Sequence, residues 1–256
     1  MSGYALGIAV VLCSQYFFFG VIAREAKNSR REVSWERKIL DYSWPFCTWS
    51  FFTWAQLSSD RWALGTYSST KDVGLYAALY QLGNYPITMA TLMATQLLAP
   101  ILFQYAGHGR DEGRNAKANG YSWRISVLIL LLTVIGSLAA LLLHHQIFRL
   151  FVSPKYAPVS YLLPWMLLGS GIYSAGQTVA LSLLIQMKTH KLIAAKITTA
   201  LVGLALNFIG ARYYGIRGVV FGGILFSVLH FIWLSVLAEY ERRTSLTVSE
   251  PSGTTL

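Results

Sequence analysis

Residues 125–143 read ISVLILLLTVIGSLAALLL, nineteen positions without one charged side chain. At 1.5 Å per residue a helix of that length covers about 28 Å, close to the hydrocarbon thickness of a bilayer. The apolar/polar alternation of a barrel strand is missing, so the stretch predicts a membrane-spanning helix. Working outward, six further long apolar runs appear: Tyr4–Ile22, Trp44–Tyr67, Val73–Phe103, Val159–Met187, Leu192–Ile209 and Gly218–Ala238. Two of these exceed a simple span and carry helix breakers. Gly83, Pro86 and Pro100 lie in the third run, and Pro164, Gly169, Gly171 and Gly176 in the fifth. Both read as long kinked helices, with Pro86, Pro164, Gly169, Gly171 and Gly176 as hinge candidates; the competing reading is a helical hairpin.

The composition agrees with a polytopic membrane protein. Of 256 residues 54% are apolar and 12% charged, and the mean hydropathy is +0.46. So few charges cannot coat a soluble globule of this size, which excludes soluble disordered, collagen-like and disulfide-rich classes. Cys13 and Cys47 are too few for a disulfide scaffold or a four-ligand zinc site. The net charge of +10 follows a topological pattern. Fifteen Lys and Arg fall after the first, third, fifth and seventh runs, beginning with Arg24, Lys27, Arg30 and Arg31. Five fall in the loops between: Lys71, Arg149, Lys155, Arg212 and Arg217. Positive charge collects on the cytoplasmic side, so the count predicts seven single crossings, N-terminus outside and C-terminus cytoplasmic. Basic residues this dispersed form no stripe for nucleic acid, and none is expected as a partner. An N-out helix opening almost directly on Met1, without a signal-peptide n-region, leads us to expect something upstream.

No enzyme motif emerges. There is no Walker A loop, and Gly107, Gly109 and Gly113 have the wrong spacing for a dinucleotide fingerprint. His144 and His145 are adjacent, so a helix points them about 100° apart, poor geometry for one metal. His230, alone in the last span, reads as a partner for a neighbouring helix. The expectation is therefore no enzyme, no cofactor and no metal.

Polar residues inside the spans carry the functional expectation, because hydrocarbon tolerates them only where they face a bundle interior or aqueous cavity. The second span holds Gln56, Ser59, Asp60 and Arg61, the third Gln81, Asn84 and Gln96, the fifth Gln177, and the sixth Lys196 and Asn207. Gln56, Asp60, Arg61, Gln81, Asn84 and Lys196 are the cavity candidates. Inter-helix hydrogen bonding competes with substrate contact for the Gln and Asn residues, and snorkelling to the interface for Lys196. Gln56 lies one turn before Asp60 and puts it on the more polar face, so Asp60 is assigned the inward role.

Several features also resemble a known family. They are Pro45 early in a span, Asp60-Arg61 before Leu64-Gly65, Val73-Gly74-Leu75-Tyr76, Ser153–Tyr156 and Lys188-Thr189. Asn207 followed by Tyr214-Gly215-Ile216-Arg217-Gly218 completes the set. In this order, from about Leu40 to Tyr240, they resemble one lobe of the Wzx-like polysaccharide and O-antigen flippases. These belong to the multidrug/oligosaccharidyl-lipid/polysaccharide exporter superfamily. The resemblance implies an all-α bundle in which two six-helix lobes rock between inward-open and outward-open states. It also implies a lipid-diphosphate-linked oligosaccharide carried across the cell (inner) membrane for O-antigen, capsule or exopolysaccharide assembly.

On that reading residues 1–39 are the last helix of an N-terminal lobe plus a basic cytoplasmic linker. Residues 40–241 are the six-helix C-terminal lobe, and 242–256 a disordered cytoplasmic tail. The expected partners are the lipid-linked oligosaccharide, membrane lipids and an N-terminal lobe that this chain does not contain. A cation antiporter of the same fold and a membrane-embedded glycan polymerase or acyltransferase are the alternatives. The first would want more acidic residues in its spans, the second a longer outer loop than His144–Pro158.

Overall fold

The computed structural model describes residues 9–16, 35–105, 112–185 and 189–248. Every regular element among them is helical. The chain divides into two compact units, Met1–Ser43 and Trp44–Leu256. In the first, residues 9–16 form α1. The rest of the predicted first span, the linker from Arg24 to Arg31, Gly107, Gly109, Lys188 and the tail beyond Val248 lie outside the described residues.

The larger unit is a helical bundle built from the part of α2 (Trp35–Tyr67) that begins at Trp44, with α3 (Thr70–Gly83), α4 (Tyr85–Tyr105), α5 (Glu112–Phe151), α6 (Leu163–Ile185) and α7 (Thr189–Val248). A 3-10 segment, Pro154–Leu162, leads into α6. Two of the predicted boundaries move. Helix α2 begins at Trp35, inside the predicted linker, and α7 continues to Val248, so the predicted disordered tail starts as helix.

Helix α3 is opened by a capping box. Ser69 Oγ accepts from the Asp72 N–H at 3.2 Å while the Asp72 carboxylate accepts from the Ser69 N–H, also at 3.2 Å. At its other end the run bends without reversing. Asn84 keeps right-handed helical angles, its N–H donates to Tyr80 O at 2.8 Å, and Thr88 N–H donates to Asn84 O at 3.0 Å. Pro86 falls in the first turn of α4, where a missing donor is cheapest. Residues 73–103 are thus one bent rod, α3 and α4, and not a hairpin.

Helix α7 holds the predicted sixth and seventh spans as two arms. They are divided at Gly215, whose angles (φ 56°, ψ −135°) a side chain rarely permits. The arms fold back on one another in register. The backbones of Gly210 and Gly218 touch so closely that a Cβ on either would overlap the other. One turn further, a Cβ on Gly222 would stand 3.1 Å from Leu206 O, and beyond that one on Gly203 would strike the Phe226 ring. Small residues let helix backbones approach in this way.

Gly169, Gly171 and Gly176, the glycines read as hinge candidates, each stand against a neighbouring helix. Helix α6 is continuous, and a Cβ on Gly169 would press on Ile224, on Gly171 on Thr133, and on Gly176 on His230 and Phe231. Pro164 sits in the first turn of α6, after the 3-10 segment, so it begins the helix instead of kinking it.

Three stretches among the described residues are long and apolar enough to cross a membrane: Gly120–Phe151, Pro154–Leu184 and Leu192–Glu241. The last contains both arms of α7. This is fewer than the seven predicted spans. Helix α2 carries Gln56, Ser59, Asp60 and Arg61, and α3 is only 14 residues long before the bend at Asn84.

The turn makes a testable demand. Gly215→Ala forces a side chain into a sparsely allowed conformation and should cost about 1–3 kcal/mol. Gly74→Ala, in α3 with open space around it, should be neutral or gain up to about 1 kcal/mol. Unfolding of the detergent-solubilised protein checks both, and equal effects would contradict the assignment.

Candidate functional site

The interior is layered along the helices. One apolar core contains Leu64, Leu75, Leu79, Leu163, Met166 and Val219; a second contains Trp49, Leu183, Leu192, Ala195 and Leu234. Each of four rods passes from one core to the other through polar residues. Helix α2 supplies Gln56, Ser59 and Asp60, and α6 supplies Ser170, Ser174 and Gln177. The first arm of α7 brings Lys196, Thr199 and Asn207, the second Ser227 and His230. A polar belt therefore lies between two apolar cores.

Asp60 and Arg61 separate as adjacent helix positions must. Asp60 is 4% exposed, and its carboxylate accepts from the Arg61 N–H at 2.6 Å and from the Tyr76 hydroxyl of α3. Arg61 points outward, its guanidinium 5.2 Å from the centre of the Tyr80 ring, a cation–π arrangement that shields the charge. Ser59, fully buried, donates to Gln56 O at 2.6 Å and accepts from Asn207 Nδ2 at 2.8 Å, tying α2 to α7. Around them lies a cavity of about 70 Å³, lined by Gln56, Asp60, Tyr76, Asn84, Tyr173 and Asn207 among others. Gln56 is 5% exposed and its Oε1 has no hydrogen-bond partner.

Gln56 also borders a smaller space, about 10 Å³, shared with Gln177, Lys196, Thr199 and His230. Here one chain of hydrogen bonds fixes its own direction. The Lys196 ammonium can only donate, and it donates to Gln177 Oε1 at 3.1 Å. That turns the Gln177 amide nitrogen toward His230 Nε2, 3.2 Å away, which must then accept. The proton of a neutral His230 is thereby placed on Nδ1, which faces Thr199 Oγ1 at 3.3 Å; Thr199 in turn donates to Ala195 O at 2.7 Å. Tyr173 and Phe226 stack on the imidazole, at 5.1 and 5.7 Å between ring centres. Lys196 completes its surroundings with the face of Trp49, 4.9 Å away.

The structure thus gathers Gln56, Asp60, Asn84 and Lys196 of the expected set around two adjoining spaces. Arg61 lies at their outer margin, and Gln81 is exposed outside both. Asp60 is enclosed within this bundle, between α2 and α3, so it does not face an open cleft. Sequence reading missed Trp49, Tyr76, Tyr173 and Thr199. In an apolar run an aromatic looks like core or interface, and only the pairing of helices sets these polar edges beside Asp60, Gln177 and His230. His144 bonds Ser160 at 3.1 Å and packs edge-on against His145; no group of three metal-ligating side chains occurs among the described residues.

The Lys196–Gln177–His230 chain predicts coupled energetics. Gln177→Leu strands the ammonium and Lys196→Met strands the amide oxygen, so each should cost about 1–3 kcal/mol. The double variant should cost less than the sum by at least about 0.5 kcal/mol, read from unfolding in mixed micelles. Strict additivity would show that the two side chains do not depend on one another.

No protein-family model, curated protein or solved structure matches the chain.

Proposed function

We propose that this chain is one six-helix lobe of a membrane transporter. It resembles the C-terminal lobe of a flippase that moves lipid-diphosphate-linked oligosaccharide across the cytoplasmic membrane by alternating access. The observation that carries the reading is the polar belt, with its half-buried cation Lys196, inside a bundle whose outer faces are apolar. Leu128, Leu131, Leu138 and Leu142 on α5 and Val236 on α7 are all exposed. Counting α3–α4 as one rod and α7 as two gives six rods, the number such a lobe needs. On this reading α2 and α3–α4 are also spans, placed where the bundle interior tolerates polar residues, and the seven-crossing topology is retained.

A diphosphate cannot enter hydrocarbon bare; it needs cations and hydrogen-bond donors that replace its water. Lys196 and the outward-pointing Arg61 are the groups suited to that work. The 70 Å³ cavity is far too small for an oligosaccharide. The passage therefore lies between this lobe and a second one, on the same polypeptide or another. Asp60 acts at a distance as a positioning residue, holding α2 against Tyr76 of α3 as the lobe tilts. A cation-coupled drug antiporter is the second reading, favoured by the oxygens of Asp60, Gln56 and Asn207 around that cavity. Export driven by a sodium gradient, with a cationic drug as cargo, would support it.

Two experiments test the first reading. With a matching N-terminal lobe in a flippase-null strain, Asp60→Asn should preserve expression and insertion. It should lower glycan export on the order of tenfold, equivalent to about 1.4 kcal/mol on the limiting step. Unchanged export would leave Asp60 a structural role only. Reporters fused between Arg24 and Lys38, or near Lys117, should read cytoplasm, and those near Lys71 or Lys155 the outside. Reversal beyond α4 would sink the lobe assignment.

A further inference from the structure

Adjacent helix positions leave the axis about 100° apart, which makes one shared metal look unfavourable for His144 and His145. That angle governs the Cβ directions only. An imidazole reaches further and turns about χ1 and χ2. In the structure the two rings swing toward each other near the end of α5, edge to face, with centres 4.8 Å apart. Their Nδ1 atoms stand 3.2 Å apart, and His144 Nδ1 is also 3.1 Å from Ser160 Oγ in the 3-10 segment. His145 is exposed and His144 partly so, which leaves the pair open to the surroundings of the bundle.

Two Nδ1 atoms this close have room for one proton between them. A neutral imidazole carries either a proton or a lone pair on Nδ1, so one ring presents a lone pair to the other. With His144 as that acceptor, a single lone pair faces two donors, the His145 N–H and the Ser160 hydroxyl. A metal ion in place of the shared proton relieves the conflict. His145 then carries its proton on Nε2, and both Nδ1 lone pairs turn to the ion. Nitrogens bound about 2.0–2.1 Å from one ion lie about 2.9 Å apart at a right angle and about 3.3 Å apart at the tetrahedral angle. The observed 3.2 Å falls between these values. Because the second imidazole is already in place, its bond forms as an intramolecular step at high effective concentration.

The donor set selects the ion. No third His, Cys, Asp or Glu joins the pair among the described residues. Magnesium and calcium need several oxygen ligands and find none here beyond a hydroxyl. Two imidazoles suit borderline divalent metals, and with so few ligands the general affinity order puts Cu²⁺ first and Zn²⁺ behind it. We propose that His144 and His145 form a transition-metal site, taking Cu²⁺ through both Nδ1 atoms with water completing its coordination. An ion-bound water donates to Ser160 Oγ, so the ion fastens the end of α5 to the segment that leads into α6. The site stands independently of the transporter reading.

The test titrates the full chain, purified in detergent with a histidine-free tag, with CuCl₂ and reads electron paramagnetic resonance. One Cu²⁺ should bind per chain, coupled to two equatorial nitrogens. His144→Asn and His145→Asn should each weaken binding at least tenfold and leave one nitrogen, and the double variant should leave none. Replacing His108 and His190 together by Asn should change neither number nor affinity. Cu²⁺, but not Mg²⁺, should raise the melting temperature of the unaltered chain and not that of His145→Asn. His145 is exposed, so this single variant carries the test even where loss of the His144–Ser160 contact disturbs the fold. Oxygen-only coordination, or two-nitrogen coupling that survives in His145→Asn, would overturn the site. One ion per two chains would overturn it in favour of a site between copies.

Discussion

A polar group enclosed among apolar helices costs several kcal/mol unless another group of the bundle satisfies it. The interior of this protein is organised around that constraint. Most of its buried hydroxyls are satisfied locally: Ser170 donates to Met166 O, Thr178 to Ser174 O, Ser182 to Val179 O and Ser227 to Gly223 O. Side chains with more to satisfy are brought together from different helices, Ser59 with Asn207, and Gln177 with Lys196 and His230. Gln56 Oε1 is left over together with the Ser137 and Ser235 hydroxyls, and of these Gln56 stands where the two polar spaces meet.

The α7 hairpin makes this arrangement possible. Gly215 turns the chain, and the register set at Gly210 and Gly218 carries down both arms until Thr199 meets His230. A shift by one residue would rotate that pair by about 100° and undo the hydrogen-bond chain. The same close approach opens a recess on the outer face of the hairpin, because glycines where the arms touch leave little side chain to fill the space between Leu206 and Phe221. One backbone feature thus serves both faces of the hairpin.

Helical character, the bent rod of α3–α4 and the burial of Asp60 were legible in the sequence. Each rests on local chemistry: apolar run length, the Gly83–Pro86 breakers, and the cost of a carboxylate in such a run. What Asp60 and Lys196 touch was not legible, since Tyr76 and Gln177 lie on other rods and nothing local marks them as partners. The neighbours of the α6 glycines were not legible for the same reason. In a single sequence a glycine that bends a helix and one that seats a neighbour look alike, and only the approach of Thr133, Ile224 and His230 tells them apart. The sequence by itself determined the secondary structure and the apolar exterior, because these depend on each run's own composition. The tertiary structure alone decided the layering of core, belt and core, because that depends on which turn of one helix lies level with which turn of the next.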